Sequence, residues 1–197
     1  MSMVYYGEVA PTDYENQPGH FLPTPPLPDG WWKDVDWIQV KDHEPTSYEL
    51  LFDFYVNMIV PNPKCTIVSS RFPPRSILIE TWHPERGLEY NRFMISPGGI
   101  RKGEPEPGSG VEVDSIFRID YYDLVKILLG EKRPTDPICD SGKINEIYGG
   151  PVLRGNMTAM IDFKDIIMLA HGKRWKTECD DDLGKEVRAM MWPDGHP

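Results

Sequence analysis

Hydrophobic residues recur at spacings of three and four in two segments of the chain. In residues 46–59 the repeat is formed by Tyr48, Leu51, Phe54, Tyr55, Met58 and Ile59. In residues 157–170 it is formed by Met157, Met160, Ile161, Phe163, Ile166, Ile167, Met168 and Leu169. This spacing places apolar side chains on one face of a helix. The pattern therefore predicts two helices that each bury an apolar face.

Polar residues and glycines at the ends of apolar segments predict where the helices begin and end. Thr46 or Ser47 is placed to cap the first helix, and Asn156 is placed to cap the last, which Gly172 closes. A third helix is predicted between Asp120, as its cap, and Gly130, which supplies a left-handed residue at its end.

Short apolar runs bounded by turn residues predict strands at residues 65–70, 76–82, 88–95 and 111–119, with an edge strand at 151–154. Residues 83–87 form the predicted turn between the second and third of these strands. Residues 97–110 hold five glycines and three prolines in fourteen positions, which predicts a flexible loop. The run from Gly142 to Ile144 is expected to be a glycine-centred connection.

The ends of the chain differ in composition from its middle. Residues 1–45 combine seven prolines with Trp31, Trp32 and Trp37, which predicts an extended N-terminal arm that packs on this chain or on a neighbour. Residues 46–172 form the predicted domain, and residues 173–197 form a C-terminal tail with an acidic run and a short amphipathic helix. The tryptophans on the arm favour a homodimer over a monomer.

Charge and cysteine content exclude several classes of function. The 197 residues carry a net charge of −10, so a nucleic-acid partner is disfavoured, because phosphate binding needs clustered cations. No stretch of eighteen apolar residues occurs, so no membrane span is expected. Three cysteines without paired spacing predict neither a disulfide framework nor a thiolate metal site. These features favour a cytoplasmic protein.

Few residues have the spacing of catalytic or cofactor sites. His83 with Glu85, or His171, has the chemistry for metal binding or proton transfer, but a solvated turn histidine is favoured for His83 because Pro84 follows it. Cys139 has no partner at a recognisable spacing. Gly98-Gly99 and Gly108-Ser109-Gly110 lack the spacing of phosphate-binding loops, so no cofactor and no metal are predicted.

Five short motifs occur in a characteristic order. They are Phe117-Arg118-Ile119, then residues 124–129 followed by Gly130-Glu131-Lys132-Arg133-Pro134, then Gly142-Lys143-Ile144, Val152-Leu153-Arg154 and Gly155-Asn156. In this order the chain resembles the sterol carrier protein 2 family, over residues 46 to about 171. It departs from the family pattern at residues 145–151, which separate the glycine-lysine motif from the strand that follows it.

The resemblance implies an α+β fold, with a mostly antiparallel five-stranded sheet covered by helices on one face. It also implies an apolar tunnel for a fatty acyl chain, a sterol-like compound or another lipid, without enzymatic activity. The ligand-binding residues it implies are Leu51, Phe54, Met58, Phe117, Ile119, Leu124, Leu128, Met160, Phe163, Ile167 and Met168. Two alternatives stay open: an accessory or interaction subunit of an enzyme complex with a filled core, and a small-molecule enzyme.

Overall fold

A five-stranded sheet forms the centre of the structure. The computed structural model of the protein describes residues 3–6, 23–96, 98–102, 112–132, 134, 142–148, 153–172 and 174–177. The sheet consists of β2 (Arg75–His83), β3 (Gly87–Ile95), β4 (Gly99–Lys102), β5 (Ser115–Asp120) and β6 (Leu153–Gly155), in the order β4-β3-β2-β5-β6. β4 lies within the segment that was predicted to be a loop.

The predicted mostly antiparallel arrangement needs correction, because the sheet is mixed. One of its four strand pairs, β2 with β5, runs parallel, with Ile77 of β2 opposite Ser115 of β5. β2 with β3, β3 with β4, and β5 with β6 are antiparallel. A parallel pair requires a long crossover between its strands. Here the connection between β2 and β5 contains β3 and β4. Strands that follow one another in sequence, β4 and β5, are therefore not neighbours in the sheet.

The first helix, α1 (Ser47–Phe54), begins at the predicted cap and continues into a π-helical turn (Tyr55–Ile59). Thr46 and Glu49 form a reciprocal capping box, in which each side chain accepts a hydrogen bond from the other's backbone N–H. The strand predicted at residues 65–70 is wrong, since this segment is a helix, α2 (Pro63–Arg71). The Asn62 side chain caps α2 and Pro63 occupies its first turn, where a missing N–H costs nothing.

Asp120 occupies the predicted N-cap position, but its side chain bonds to a different helix. The helix α3 (Tyr121–Leu128) follows it directly, but the Asp120 side chain makes no capping bond to α3. Its carboxylate instead accepts hydrogen bonds from the backbone N–H groups of Lys143 and Ile144, at 2.7 and 2.8 Å. These belong to α4 (Gly142–Tyr148), so the predicted glycine-centred connection is a short helix.

The last helix, α5 (Met157–Ala170), has the predicted bounds and is capped by the Asn156 side chain, which accepts from the Thr158 N–H. Just before it, Gly155 adopts φ +93°, and a Cβ at this position would lie 2.4 Å from the carbonyl oxygen of Asp114. Only glycine fits this close approach between β6 and the residue that precedes β5.

A separate two-stranded sheet pairs β1 (Met3–Tyr6) antiparallel with β7 (Arg174–Thr177). Its partners lie at opposite ends of the sequence, and the sequence analysis did not predict it. The tail helix predicted after residue 186 lies outside the described residues.

The main sheet has one face against α1, α3 and α5. Along β2, Ile77 and Ile79 point to this face and join the hydrophobic core, together with Phe93 of β3 and Phe117 of β5. Helices are not confined to this side, because Asp120, which holds the start of α4, lies opposite Trp82 on the second face.

Buried charge marks the second face. The Arg118 Nε of β5 donates to Glu80 Oε2 of β2 at 2.6 Å, and both side chains are almost inaccessible to water. A buried ion pair tolerates loss of both partners better than loss of one. Loss of either Arg118 or Glu80 alone would therefore leave a buried charge without its partner.

Candidate functional site

An apolar layer fills the space between the inner face of the sheet and the helices. Buried apolar side chains in this layer belong to the hydrophobic core cluster of the protein. Nine of the eleven side chains predicted to bind a ligand are members of that cluster: Leu51, Phe54, Phe117, Ile119, Leu124, Leu128, Met160, Phe163 and Ile167. Met58 is partly buried and packs against the cluster. Met168 is also buried but is not a member of it. Side chains from α1, the π-helical turn, β5, α3 and α5 thus meet in one place.

Aromatic rings fill the centre of the layer. Phe163 of α5 lies with its ring centroid 4.9 Å from that of Phe93 and 6.3 Å from that of Phe117, both in edge-on geometry. Phe93 in turn contacts Tyr55 of the π-helical turn at 6.4 Å. Edge-on pairs of this kind add about 0.5 to 1.5 kcal/mol to the burial of their area. Phe93 was not among the ligand-binding residues predicted from the sequence, although the alternation along β3 contained the signal.

The layer is closed to water in this arrangement. Each predicted ligand-binding residue that belongs to the cluster is 7% exposed or less, and Phe117, Ile119, Leu124, Leu128 and Phe163 are 0% exposed. These side chains pack on one another and occupy the space between the helices and the sheet. Met160 is the most exposed of the set at 7%, and its unbranched side chain adapts readily to a new neighbour.

Residues 23–45 of the N-terminal arm pack against the same layer on this chain's own body. Trp37 stacks edge-on against Phe54, with ring centroids 5.2 Å apart, and its carbonyl accepts a hydrogen bond from the Asn57 side chain at 2.8 Å. Trp32 and Ile38 are buried in the core. The arm therefore covers the end of α1 and the π-helical turn.

Buried carboxylates hold the arm in place. Asp53 Oδ2 of α1 accepts hydrogen bonds from the Gln39 N–H at 3.1 Å and from Lys41 Nζ at 2.6 Å. Asp123 Oδ1 of α3 accepts from Lys132 Nζ at 2.8 Å and from the backbone N–H of Thr24 at 2.9 Å. The sequence offers no signal for these anchors, because each partner lies at least nine positions away.

A third anchor contains His83, and the prediction of a solvated turn histidine is wrong. The His83 side chain is 1% exposed, and its Nε2 lies 2.9 Å from Glu44 Oε2 of the arm. Its Nδ1 accepts hydrogen bonds from the backbone N–H groups of Glu85 and Arg86 at 3.1 and 3.3 Å. Because Nδ1 is an acceptor, the neutral ring carries its proton on Nε2 and donates it to Glu44.

Other groups around His83 also hold the arm. The Tyr121 hydroxyl donates to the Pro45 carbonyl at 2.5 Å, and Arg86 Nη2 donates to the same carbonyl at 3.1 Å. Burial, reinforced by the charge of Glu44, raises the pKa of Tyr122 to about 12, so its hydroxyl keeps its proton at neutral pH. These bonds join Glu44 and Pro45 of the arm to β2, the turn after it and α3.

The other residues considered for catalysis or metal binding are two cysteines and His171. Burial raises the pKa of the Cys65 thiol to about 11, which disfavours the nucleophilic thiolate, and its Sγ lies 3.7 Å from the Ile166 carbonyl oxygen. The His171 Nε2 lies 2.9 Å from the Leu128 carbonyl oxygen and joins the ends of α5 and α3. Cys139 and the segment from Gly108 to Gly110 lie outside the described residues.

The described part of the chain lacks two specific features. It contains no group of three or more His, Cys, Asp or Glu side chains placed to hold a metal ion. None of its helices combines the length and the apolar character needed to cross a membrane.

Comparison with known proteins identifies similar structures but no similar sequence. No protein-family model matches the chain, and no curated protein matches it significantly. The solution structure of the sterol carrier protein domain 2 of Helicoverpa armigera matches with a TM-score of 0.44 and 14% identity, over 70% of this chain and 99% of that one. Sterol carrier protein 2 from Yarrowia lipolytica, in its apo form, matches with a TM-score of 0.43 and 13% identity, over 69% of this chain and 94% of that one. Both similar structures are sterol carrier protein 2 domains, the family whose motifs the sequence resembles.

Proposed function

We propose that the protein binds and transfers a hydrophobic ligand, a fatty acyl chain or a sterol-like compound, in the apolar layer between the helices and the sheet. One observation carries the proposal: apolar side chains from five separate segments converge in a single layer, where the motifs of the resembled family would place its ligand. A carrier needs an apolar compartment and no reactive group.

The energetics favour a long apolar ligand. Each methylene transferred from water contributes about 0.8 kcal/mol, so an acyl chain gains enough free energy to offset the repacking of a few side chains. Met58 and Met160 are flexible and lie toward the margin of the layer, which makes them the natural residues to move. The π-helical turn that carries Met58 is a type of element found often at functional sites.

An interaction subunit with a filled core is the second candidate. It is favoured by the near-complete burial of the layer, in which side chains of this chain already occupy the space that a ligand would take. An enzyme partner or a second copy of the chain would then be the functional partner. The reason for expecting a homodimer is weakened, since Trp32 is buried in the protein's own core and Trp31 and Trp37 pack against it.

Titration with a fluorescent fatty acid, combined with native mass spectrometry of freshly purified protein, separates the two candidates. For the carrier we expect saturable binding at one site, and competition by unlabelled fatty acid or sterol. Co-purified lipid of a defined mass would name the ligand class. Absence of saturable binding by fatty acid and sterol probes, with no lipid in the mass spectrum, would reject the carrier in favour of the interaction subunit.

A further inference from the structure

The arm carries a short segment whose backbone is fixed by its own composition. Residues 23–28 read Pro-Thr-Pro-Pro-Leu-Pro, and we call them the proline strip. Proline holds φ at about −65° and drives the residue before it into an extended conformation. Successive prolines of this kind adopt the polyproline II helix, which has three residues per turn and no internal hydrogen bonds.

Exposure along the proline strip repeats every three residues. The two half-buried positions are Thr24 and Leu27, three residues apart, and they share one edge of a threefold helix. The other two edges are formed by exposed residues: Pro23, Pro25, Pro26 and Pro28. The strip thus turns its non-proline edge to the body of the protein and presents two proline edges to solvent.

The inward edge fixes the strip in position. The Thr24 N–H and hydroxyl both donate to Asp123 Oδ1, at 2.9 and 2.5 Å, and Leu27 packs against the hydrophobic core. After the strip, the Trp31 N–H donates to the Pro28 carbonyl at 3.2 Å. A ligand segment that is already ordered loses little conformational entropy when it binds. The strip is therefore preorganised for recognition from its solvent side.

We propose that the proline strip is a docking ligand for a partner protein with an aromatic-lined, uncharged groove of the WW type. Pairs of prolines three residues apart are what such grooves bind, through ring-on-ring contacts with a preformed polyproline II helix. The strip has no charged residue, and the exposed Asp29 follows it directly. A groove of the SH3 type that reads a basic ligand residue with its own carboxylates would be repelled by Asp29. This inference is independent of the proposed ligand in the apolar layer.

The test uses the full-length protein, an array of purified WW domains and a matched array of SH3 domains. The double variant Pro26→Ala with Pro28→Ala removes one proline from each exposed edge. The matched control, Pro73→Ala with Pro74→Ala, changes two exposed prolines in another segment. Melting temperatures of all three proteins are measured first, and unchanged values are expected because the substituted side chains are exposed.

We expect at least one WW domain to bind the parent protein with a Kd of about 10 to 100 µM. The strip variant should weaken that binding by roughly tenfold or more, and the control should keep it. Three results would overturn the proposal: no WW domain binds more tightly than about 1 mM, only SH3 domains bind, or the strip variant and the control behave alike.

Discussion

Individual carboxylates hold the arm in its position on the domain. Asp53, Asp123 and Glu44 each accept hydrogen bonds across the boundary between the arm and the domain. Such groups are costly to bury unless they are paired, and removing one partner leaves an uncompensated charge. No local sequence pattern distinguishes them from surface acids, which explains why the sequence analysis predicted none of them.

Glu89 makes a testable contribution to the pH dependence of stability. Burial raises the pKa of Glu89, but hydrogen bonds from Ser47 and Arg86 together outweigh burial and hold the pKa below its usual value of 4.5. A carboxyl whose pKa is depressed in the folded state stabilises that state above its unfolded pKa. This stabilisation is lost as the pH falls through the depressed value.

We therefore expect Glu89→Gln to lower the free energy of unfolding by about 1 to 2 kcal/mol at neutral pH. The difference from the parent should shrink as the pH falls below 4.5. Urea denaturation over this pH range measures it. The exposed neighbour Glu85, changed to Gln, is the control and should have little effect. A difference that stays constant on acidification would show that the Glu89 charge is not the cause.

Met160 and Met157 lie on the same helix and allow a matched test of the apolar layer. Met160 faces the layer at 7% exposed, whereas Met157 is 57% exposed. Met160→Trp adds volume where a ligand would bind, at a cost of about 1 to 3 kcal/mol in stability. We expect it to weaken binding of a fluorescent fatty acid by roughly tenfold, while Met157→Trp leaves binding unchanged. Equal effects of the two variants would place the ligand elsewhere.

Elements with strong local signals were predicted well, and elements defined by distant partners were not. The starts of α1 and α5 follow from the capping side chains of Thr46, one of the two predicted caps, and Asn156. The segment 65–70 was assigned to the wrong class because a short apolar run does not distinguish a strand from a buried helix. The Asn62 cap and Pro63 were the decisive signals for α2.

Gly155 is predicted to be indispensable for the junction of β6 and α5. Gly155→Ala would combine a positive φ with a Cβ 2.4 Å from the Asp114 carbonyl oxygen, whereas Gly87→Ala meets nothing within 4 Å at a similar φ. We expect Gly87→Ala to cost about 1 kcal/mol and Gly155→Ala about 3 kcal/mol or more. Thermal unfolding measures both. Equal losses would mean that backbone conformation alone, and not the close approach, sets the requirement.

In the molecule as a whole, the pairing of strands that lie far apart in the sequence could not be predicted from the sequence. The pairing of β1 with β7 joins the two ends of the chain, and the parallel register of β2 with β5 spans a crossover of more than thirty residues. Hydrophobic periodicity did predict an apolar face on the first and last helices, and the family resemblance implied an apolar tunnel in the layer between helices and sheet. Whether that layer is open or filled depends on packing, which periodicity does not determine.

The arm is predicted to be an integral part of the fold. Deleting residues 1–40 removes the buried side chains of Trp32 and Ile38, whose burial contributes a few kcal/mol, and uncovers Phe54. We expect the melting temperature to fall by roughly 10 °C and an apolar dye to bind more strongly. Calorimetry and light scattering measure this. An unchanged melting temperature with an unchanged mass in solution would show that the arm is dispensable.

Methyl NMR tests the central claim, that the apolar layer binds a hydrophobic ligand, most directly. Methionine and isoleucine methyl groups report on both sides of α5, since Met160 and Ile167 lie in the layer and Met157 and Ile161 are exposed. On titration with a fatty acid, we expect the inner signals of Met58, Met160 and Ile167 to shift and saturate together, with little change at the outer methyls. Shifts confined to Met157 and Ile161, or none that saturate, would contradict the proposed site.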